Sequence, residues 1–221
     1  MPRVTIDNME VDVVDGSNLL AAARKCGLDI PALCYHPGCT PNTSCMACVV
    51  KLTNPDRFVP ACATRAVDGM RVESQTEEIR RLRRTVLELL LSDHAGDPAD
   101  ACACDKHDVC RLRKYAAMYG ADPARYRGAA RQSAPRQQHP DIVYDPGKCI
   151  LCGICIQLAE QAGEPLGLTL VGRGFEVRVD TPLGETLEAG LRTAARRVAG
   201  ACPTGALSLR NKRSDKPTSE R

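Results

Sequence analysis

Tryptophan is absent, only two phenylalanines occur, and aromatic residues make up 3% of the 221 residues. Apolar packing must therefore rest on Ala, Leu, Ile and Val, which bury less surface per side chain than aromatic rings do. No uninterrupted apolar run approaches the roughly 20 residues of a membrane-spanning helix, so no membrane span is expected. The N-terminus lacks the basic, apolar profile of a secretory signal, and Met1-Pro2-Arg3-Val4-Thr5-Ile6 reads as the start of a strand. A net charge of +3, dispersed along the chain, gives no basic patch for nucleic acid. There is no nucleophile–base pair, no Gly-rich phosphate loop and no flavin signature, so the chain is expected to have no catalytic site of its own. Gly172-Arg173-Gly174 holds a Gly-x-Gly, but without the third glycine and following helix of a dinucleotide fingerprint it reads as a turn.

What the chain has in excess is cysteine. Thirteen occur, an odd number that suits no complete disulfide set. With no secretory signal, a cytoplasmic location is expected, and there cysteines serve as metal ligands more often than as disulfides. The densest run is Cys149-Ile150-Leu151-Cys152-Gly153-Ile154-Cys155. Two-residue gaps let successive thiolates face a common centre, as in bacterial ferredoxins. Those continue with a further cysteine four residues on, which serves another cluster. Here that position is Ala159, and the missing ligand appears downstream at Cys202-Pro203. The set Cys149, Cys152, Cys155 and Cys202 is read as holding one [4Fe-4S] cluster. Four cysteines also suit tetrahedral zinc, but a triplet plus a remote Cys-Pro favours the cluster over the paired C-x2-C of zinc sites.

The N-terminal region opens with alternating Val4–Ile6 and Val11–Val14 around Asp7-Asn8, a hairpin pattern. Ser17 reads as the N-cap of a helix over 18–25, with Leu19, Leu20 and Ala23 inward, ended by Gly27 and Pro31. Val49–Leu52 and Met70–Glu73 supply further strands. This order suits a β-grasp sheet. The cysteines here run C-x10-C-x2-C-x13-C, through Cys34, Cys45, Cys48 and Cys62. Plant-type [2Fe-2S] ferredoxins have a shorter first gap, so that pattern is only approached. Cys26 is read as a small buried hydrophobe and Cys39 as a bystander in the loop.

Thr76 caps a second helix, with Ile79, Leu82, Val86 and Leu89 or Leu90 on one face, and Arg80, Arg81, Arg83 and Arg84 on a solvated one. His94 follows it, then Cys102, Cys104 and Cys110. A short helix runs from Cys110 to Gly120, and residues 128–140 read as a surface linker. Beyond the triplet, Ile156–Ala162 continues as a helix, Leu168–Val171 and Phe175–Val179 form a hairpin, and Leu187–Val198 is a helix. The fold class is α+β. The expected divisions are 1–75, 76–127, a linker at 128–143, 144–210 and a disordered tail at 211–221.

Ile30-Pro31-Ala32-Leu33-Cys34-Tyr35-His36-Pro37-Gly38, with Cys45-Met46-Ala47-Cys48-Val49-Val50 and Ala61-Cys62-Ala63-Thr64, resembles the [2Fe-2S] domain of the large iron–sulfur subunit of respiratory complex I. The same domain occurs in the small diaphorase subunit of NAD-reducing hydrogenases, in iron-only hydrogenases and in NAD-linked formate dehydrogenases. The Cys-Ile-Leu-Cys-Gly-Ile-Cys run and the remote Cys202-Pro203-Thr204-Gly205-Ala206-Leu207 resemble the same subunits, so the likeness spans residues 1–210. It implies that Cys34, Cys45, Cys48 and Cys62 ligate a [2Fe-2S] cluster. It also implies a middle [4Fe-4S] cluster on one His and three Cys, in a pattern H-x3-C-x2-C-x5-C.

The middle spacing departs from that pattern. Cys104 and Cys110 keep the last gap, but Pro98 stands where the first cysteine belongs, and seven residues separate His94 from Cys102. Three readings stay open: a cluster on His94, Cys102, Cys104 and Cys110, one using His107 instead, or none. One [2Fe-2S] and one or two [4Fe-4S] clusters are therefore expected. Complex I and iron-only hydrogenase subunits continue into a longer domain, and this chain is read as ending before it. The resemblance implies an electron-transfer subunit between a flavin-containing NADH-oxidising subunit and a catalytic metal subunit. The alternatives are a free-standing polyferredoxin or redox sensor, and a zinc-binding scaffold.

Overall fold

The computed structural model describes residues 1–94, 110–126, 134 and 138–210. Five strands form the first sheet: β1 (Arg3–Ile6), β2 (Met9–Asp12), β3 (Val49–Thr53), β4 (Asp56–Pro60) and β5 (Arg71–Glu73), in the order β2-β1-β5-β3-β4. β1 and β5 are parallel and the other neighbours antiparallel. Asp7 and Asn8 turn the first hairpin with φ of 46° and 67°, the left-handed pair that a two-residue turn of matching twist requires. β4 lay outside the sequence expectation. It is an edge strand whose Asp56, Arg57 and Phe58 are exposed, so it has little apolar signature.

Helix α1 (Leu19–Lys25) buries Leu19, Leu20, Ala22 and Ala23 against Val4, Ile6, Val50, Leu52 and Val72 of the sheet. Its N-cap is Asn18 and not Ser17: the Asn18 side chain accepts from Ala21 N–H at 2.9 Å while its amide donates to Cys62 O at 2.8 Å. One residue thus starts the helix and pins the loop that carries Cys62.

Helix α2 (Glu77–Ser92) starts at Thr76 as expected, with Thr76 Oγ1 accepting from Ile79 N–H. Its buried face is Ile79, Arg83, Leu87 and Glu88, rotated from the expected stripe, and Leu89 is exposed. Arg83 does not lie on a solvated face. Its guanidinium donates to Val49 O and to Tyr119 OH, both at 2.8 Å, which tie it inward between β3 and α3 (Arg111–Tyr119). Gly120 ends α3 with φ of 62°, a left-handed stop that glycine adopts without strain.

The C-terminal part pairs β6 (Ile142–Tyr144) with β9 (Leu207–Leu209), and β7 (Thr169–Val171) with β8 (Arg178–Asp180). Gly172-Arg173-Gly174 falls in the connection between β7 and β8. α6 (Ala195–Ala201) packs beside β6 and β9, and α4 (Ile154–Gln161) lies against α6. The helix expected over Leu187–Val198 is broken into α5 (Leu187–Gly190) and α6. The Glu164 carboxylate draws away the intervening amides, accepting from Arg192, Thr193 and Ala194 N–H at 2.6–2.9 Å. Within the expected linker, His139 is buried, bonded to Leu191 O and accepting from Asp141 N–H, and Ile142 is already in β6. The expected tail lies outside the described residues. Among the described residues no helix is long and apolar enough to cross a membrane.

Candidate metal centres

Two sets of thiols gather inside the fold. The first is built where β3 and β4 leave the sheet. Cys48 directly precedes β3, and the pairing of Val49 with Pro60 continues as Ala61 N–H donates to Cys48 O, which brings Cys62 alongside. Cys34 and Cys45 arrive on the loop between α1 and β3. Met46 holds a left-handed φ of 49° and accepts from Val49 N–H, curling the chain between Cys45 and Cys48. All four cysteines are nearly inaccessible to solvent.

Their sulfurs are within hydrogen-bond reach of one another: Cys34 with Cys45 and with Cys62, and Cys48 with Cys62. The bonds from Cys45 and Cys62 hold the Cys34 thiol down at about 2, and the bond from Cys62 holds Cys48 at about 7. Cys45 and Cys62 are pushed up, first by their bonds to Cys34. Backbone N–H groups also point at these sulfurs, from Cys45 to Cys34, from Ala47 and Leu33 to Cys45, and from Cys62 and Ala61 to Cys48. Donors aimed at sulfur favour the anionic form. Four converging thiols with Cys34 held as thiolate, and the others sharing protons through bonds to it and to each other, form a donor set that suits a cationic iron–sulfur core, which would take up the remaining negative charge.

The second set is Cys149, Cys152, Cys155 and Cys202. Leu151 and Gly153 take left-handed φ of 55° and 74°, which winds the triplet into a tight loop. Beside Gly153, Asn42 Nδ2 donates to Cys152 O and holds this loop to the N-terminal part. α6 delivers Cys202 at its C-terminus. Leu151 N–H and Leu207 N–H each donate to a sulfur, of Cys149 and Cys202, at 3.4 Å. The four cysteines line one small hollow, open in part to solvent and walled by Tyr144, Ile154 and Leu207. Burial pushes the Cys152 thiol up to about 12 and Cys155 well above its ordinary value. These thiols lose their protons only where a bound cation supplies compensating charge, so the donor set fits a metal cluster.

Of the middle set, the structure places His94 and Cys110, both buried. His94 stands just beyond the C-terminus of α2, and Cys110 is the N-cap residue of α3. Cys102, Cys104 and His107 lie outside the described residues. Arg111 N–H donates to Pro203 O at 2.8 Å, which ties Cys110 to the Cys202 loop. Burial raises the Cys110 thiol, and charge on Cys202 adds to that effect. Charge on Cys34 likewise adds to the rise at Cys152. Cys34, Cys45, Cys110, Cys152 and Cys155 share one continuous apolar core.

Side chains that motif spacing does not reveal join the two ends. Gln157 exchanges two hydrogen bonds with the Thr40 backbone, at 2.7 and 3.0 Å, and Gln161 donates to Gly38 O at 2.7 Å. Cys39 is buried, with Gln161 Nε2 3.9 Å from its sulfur. Cys26 is only half-buried, because it caps the exposed end of α1, in contrast to the expected buried role.

Two family models match the chain: a 2Fe-2S iron-sulfur cluster binding domain over residues 2–77, and the NADH-ubiquinone oxidoreductase-G iron-sulfur binding region over residues 83–125. A crystal structure of NAD+-reducing [NiFe]-hydrogenase in the H2-reduced state contains a chain that superposes with a TM-score of 0.81. It is 32% identical and aligned over 100% of this chain and 92% of that one. The chain belongs to the iron–sulfur subunit family of complex I and NAD-reducing hydrogenase. Among curated members of this iron–sulfur family, NADPH-Fe(3+) oxidoreductase subunit alpha of Geobacter sulfurreducens is 31% identical over 94% of the chain and 24% of its own length. NADP-reducing hydrogenase subunit HndD of Solidesulfovibrio fructosivorans is 34% identical over 94% and 36%. The NADH-ubiquinone oxidoreductase 75 kDa subunit of Reclinomonas americana is 31% identical over 94% and 29%. The chain thus spans between 24% and 36% of these relatives' length. It carries a 2Fe-2S domain and a 4Fe-4S binding region, as the family resemblance implied.

Proposed function

We propose that this chain is an electron-transfer subunit of an NAD(P)H-linked multisubunit oxidoreductase, working between a flavin-containing NADH-oxidising subunit and a catalytic metal subunit. The observation that carries the reading is the joining of separate thiol sets within one apolar core, in a chain alike over its full length to a chain of an NAD+-reducing hydrogenase. The sites are Cys34, Cys45, Cys48 and Cys62 for [2Fe-2S]; Cys149, Cys152, Cys155 and Cys202 for [4Fe-4S]; and His94, Cys102, Cys104 and Cys110 for a middle [4Fe-4S]. The corresponding domains are a β-grasp unit at 1–75, a helical segment at 76–127 and a small α+β unit at 144–210, with 128–143 joining them. A cytoplasmic setting agrees with the absence of disulfides among the eleven cysteines of the described residues.

Thiolate-bound clusters exchange single electrons. The protein's part is to hold the sulfurs, aim N–H groups at them and exclude water around them, which together set each potential. NAD chemistry moves a hydride, and a flavin must stand between it and one-electron centres. The chain alone is therefore expected to take electrons from dithionite or a reduced flavoprotein, and none from NADH. Anaerobic absorbance of the flavin-free chain mixed with NADH tests this. No bleaching until the flavoprotein is added supports the reading, and prompt bleaching without it contradicts it.

A further inference from the structure

Arg83 is fully buried. Nη1 donates to Tyr119 OH and Nη2 to Val49 O, both at 2.8 Å, and the Tyr119 ring covers the guanidinium with its centroid 5.6 Å away. Its Nε finds no hydrogen-bond partner among the described residues, and neither bonded partner carries a formal charge. Taking a cation out of water without an opposing charge is costly. The carboxylate of Asp7 reaches Arg83 only at longer range, being itself held by Ser74 N–H and Ser74 Oγ. An arginine also does not escape the cost by losing its proton.

The missing counter-charge lies along the bond to Val49. That residue directly follows Cys48, one of the four cysteines assigned to the N-terminal cluster, so the guanidinium is hydrogen-bonded to the backbone next to a cluster ligand. A thiolate-bound cluster is anionic and gains one further negative charge on reduction. We propose that Arg83 is the fixed counter-charge of the N-terminal cluster, a positioning residue that raises the potential at which this cluster accepts an electron. The inference rests on the assignment of Cys34, Cys45, Cys48 and Cys62 as its ligands. Tyr119, the last residue of α3, holds the guanidinium through its hydroxyl and so ties α2 to that helix.

The test is an EPR-monitored redox titration of the full chain carrying Arg83→Gln, Arg83→Met or Arg83→Lys, with iron content measured in each. With the cluster retained, Gln and Met should disfavour reduction roughly tenfold, about 59 mV for a one-electron couple. The C-terminal cluster should keep its potential, and Lys should stay close to the native value. A native potential in Gln or Met overturns the proposal. Should the cluster be lost from Gln and Met but kept in Lys, the need for charge is upheld. Loss from all three assigns Arg83 a purely structural role and overturns it. Absence of a [2Fe-2S] signal from the unmodified chain would instead overturn the ligand assignment beneath it.

Discussion

Replacing Glu164 separates the delivery of Cys202 from the chemistry of its sulfur. The carboxylate accepts from the N–H groups of Arg192, Thr193 and Ala194 at 2.9, 2.6 and 2.6 Å, and from Thr193 Oγ1 at 3.0 Å. Ala194 is the N-cap of α6 and offers no side-chain cap, so Glu164 supplies that cap from a distant segment. α6 then runs straight into Cys202. Losing an N-cap acceptor costs about 1 kcal/mol, and several bonds to one charged oxygen move the figure toward about 2 kcal/mol in a partly exposed setting. Glu164→Ala should therefore speed amide exchange across residues 192–201 by about thirtyfold at pH 7, and Glu164→Gln by less, since an acceptor oxygen remains.

The pH dependence has a definite sign. Burial raises the Glu164 pKa, but the N–H bonds outweigh it and leave the group below its ordinary 4.5. A depressed carboxylate contributes stability above its unfolded pKa and loses it as pH falls through the folded value. The gap between native and Glu164→Ala chains should be full at pH 7 and narrow below about pH 4.5. Exchange mass spectrometry of the cluster-loaded protein reads it directly. Equal protection of residues 192–201 in both chains at pH 7 would refute the capping role.

Cys202→Ala should strip the C-terminal cluster and open residues after Pro140 to protease while the [2Fe-2S] spectrum survives, because metal binding to a site absent from the unfolded chain adds to folding free energy. Unchanged proteolysis of the C-terminal half would count against this. Gln157→Ala removes two partly exposed bonds to Thr40 and should cost about 1 kcal/mol, a fall of about 2–4 °C in calorimetric Tm with the cluster spectra unaltered. A Tm within error of the native chain would mean that the loop docks by other contacts.

The parts legible in the sequence were those with a local signature. Asp7-Asn8 announces its turn, Thr76 its helix, and the cysteine triplet its loop, because short-range sterics and ligand spacing decide each of them. The misreadings share a cause in contacts from far along the chain. Ser17 and Asn18 are both competent caps, and Asn18 prevails because its amide also reaches Cys62 O, 44 residues on. Leu187–Val198 keeps a helical apolar pattern through Gly190, yet the helix stops at that glycine and Glu164 takes the amides that would have joined its two halves. Arg83 looks like one member of a solvated arginine face until Val49 and Tyr119 come to meet it. The same holds for the site. The C-x2-C-x2-C spacing marked Cys149, Cys152 and Cys155 as neighbours, whereas the gathering of Cys34, Cys45, Cys48 and Cys62 was legible only through the family resemblance. The joining of the N-terminal loop to the C-terminal part was not legible at all, because it depends on Asn42, Gln157 and Gln161, whose bonds reach the triplet loop and run from α4 across more than 100 residues of chain.

Anaerobic determination of iron and acid-labile sulfide in the purified chain tests the central claim most directly. One [2Fe-2S] and two [4Fe-4S] clusters predict a brown protein with about ten irons and matching sulfide per chain. A value near six would remove the cluster on His94, Cys102, Cys104 and Cys110, and stoichiometric zinc without iron would contradict the whole account.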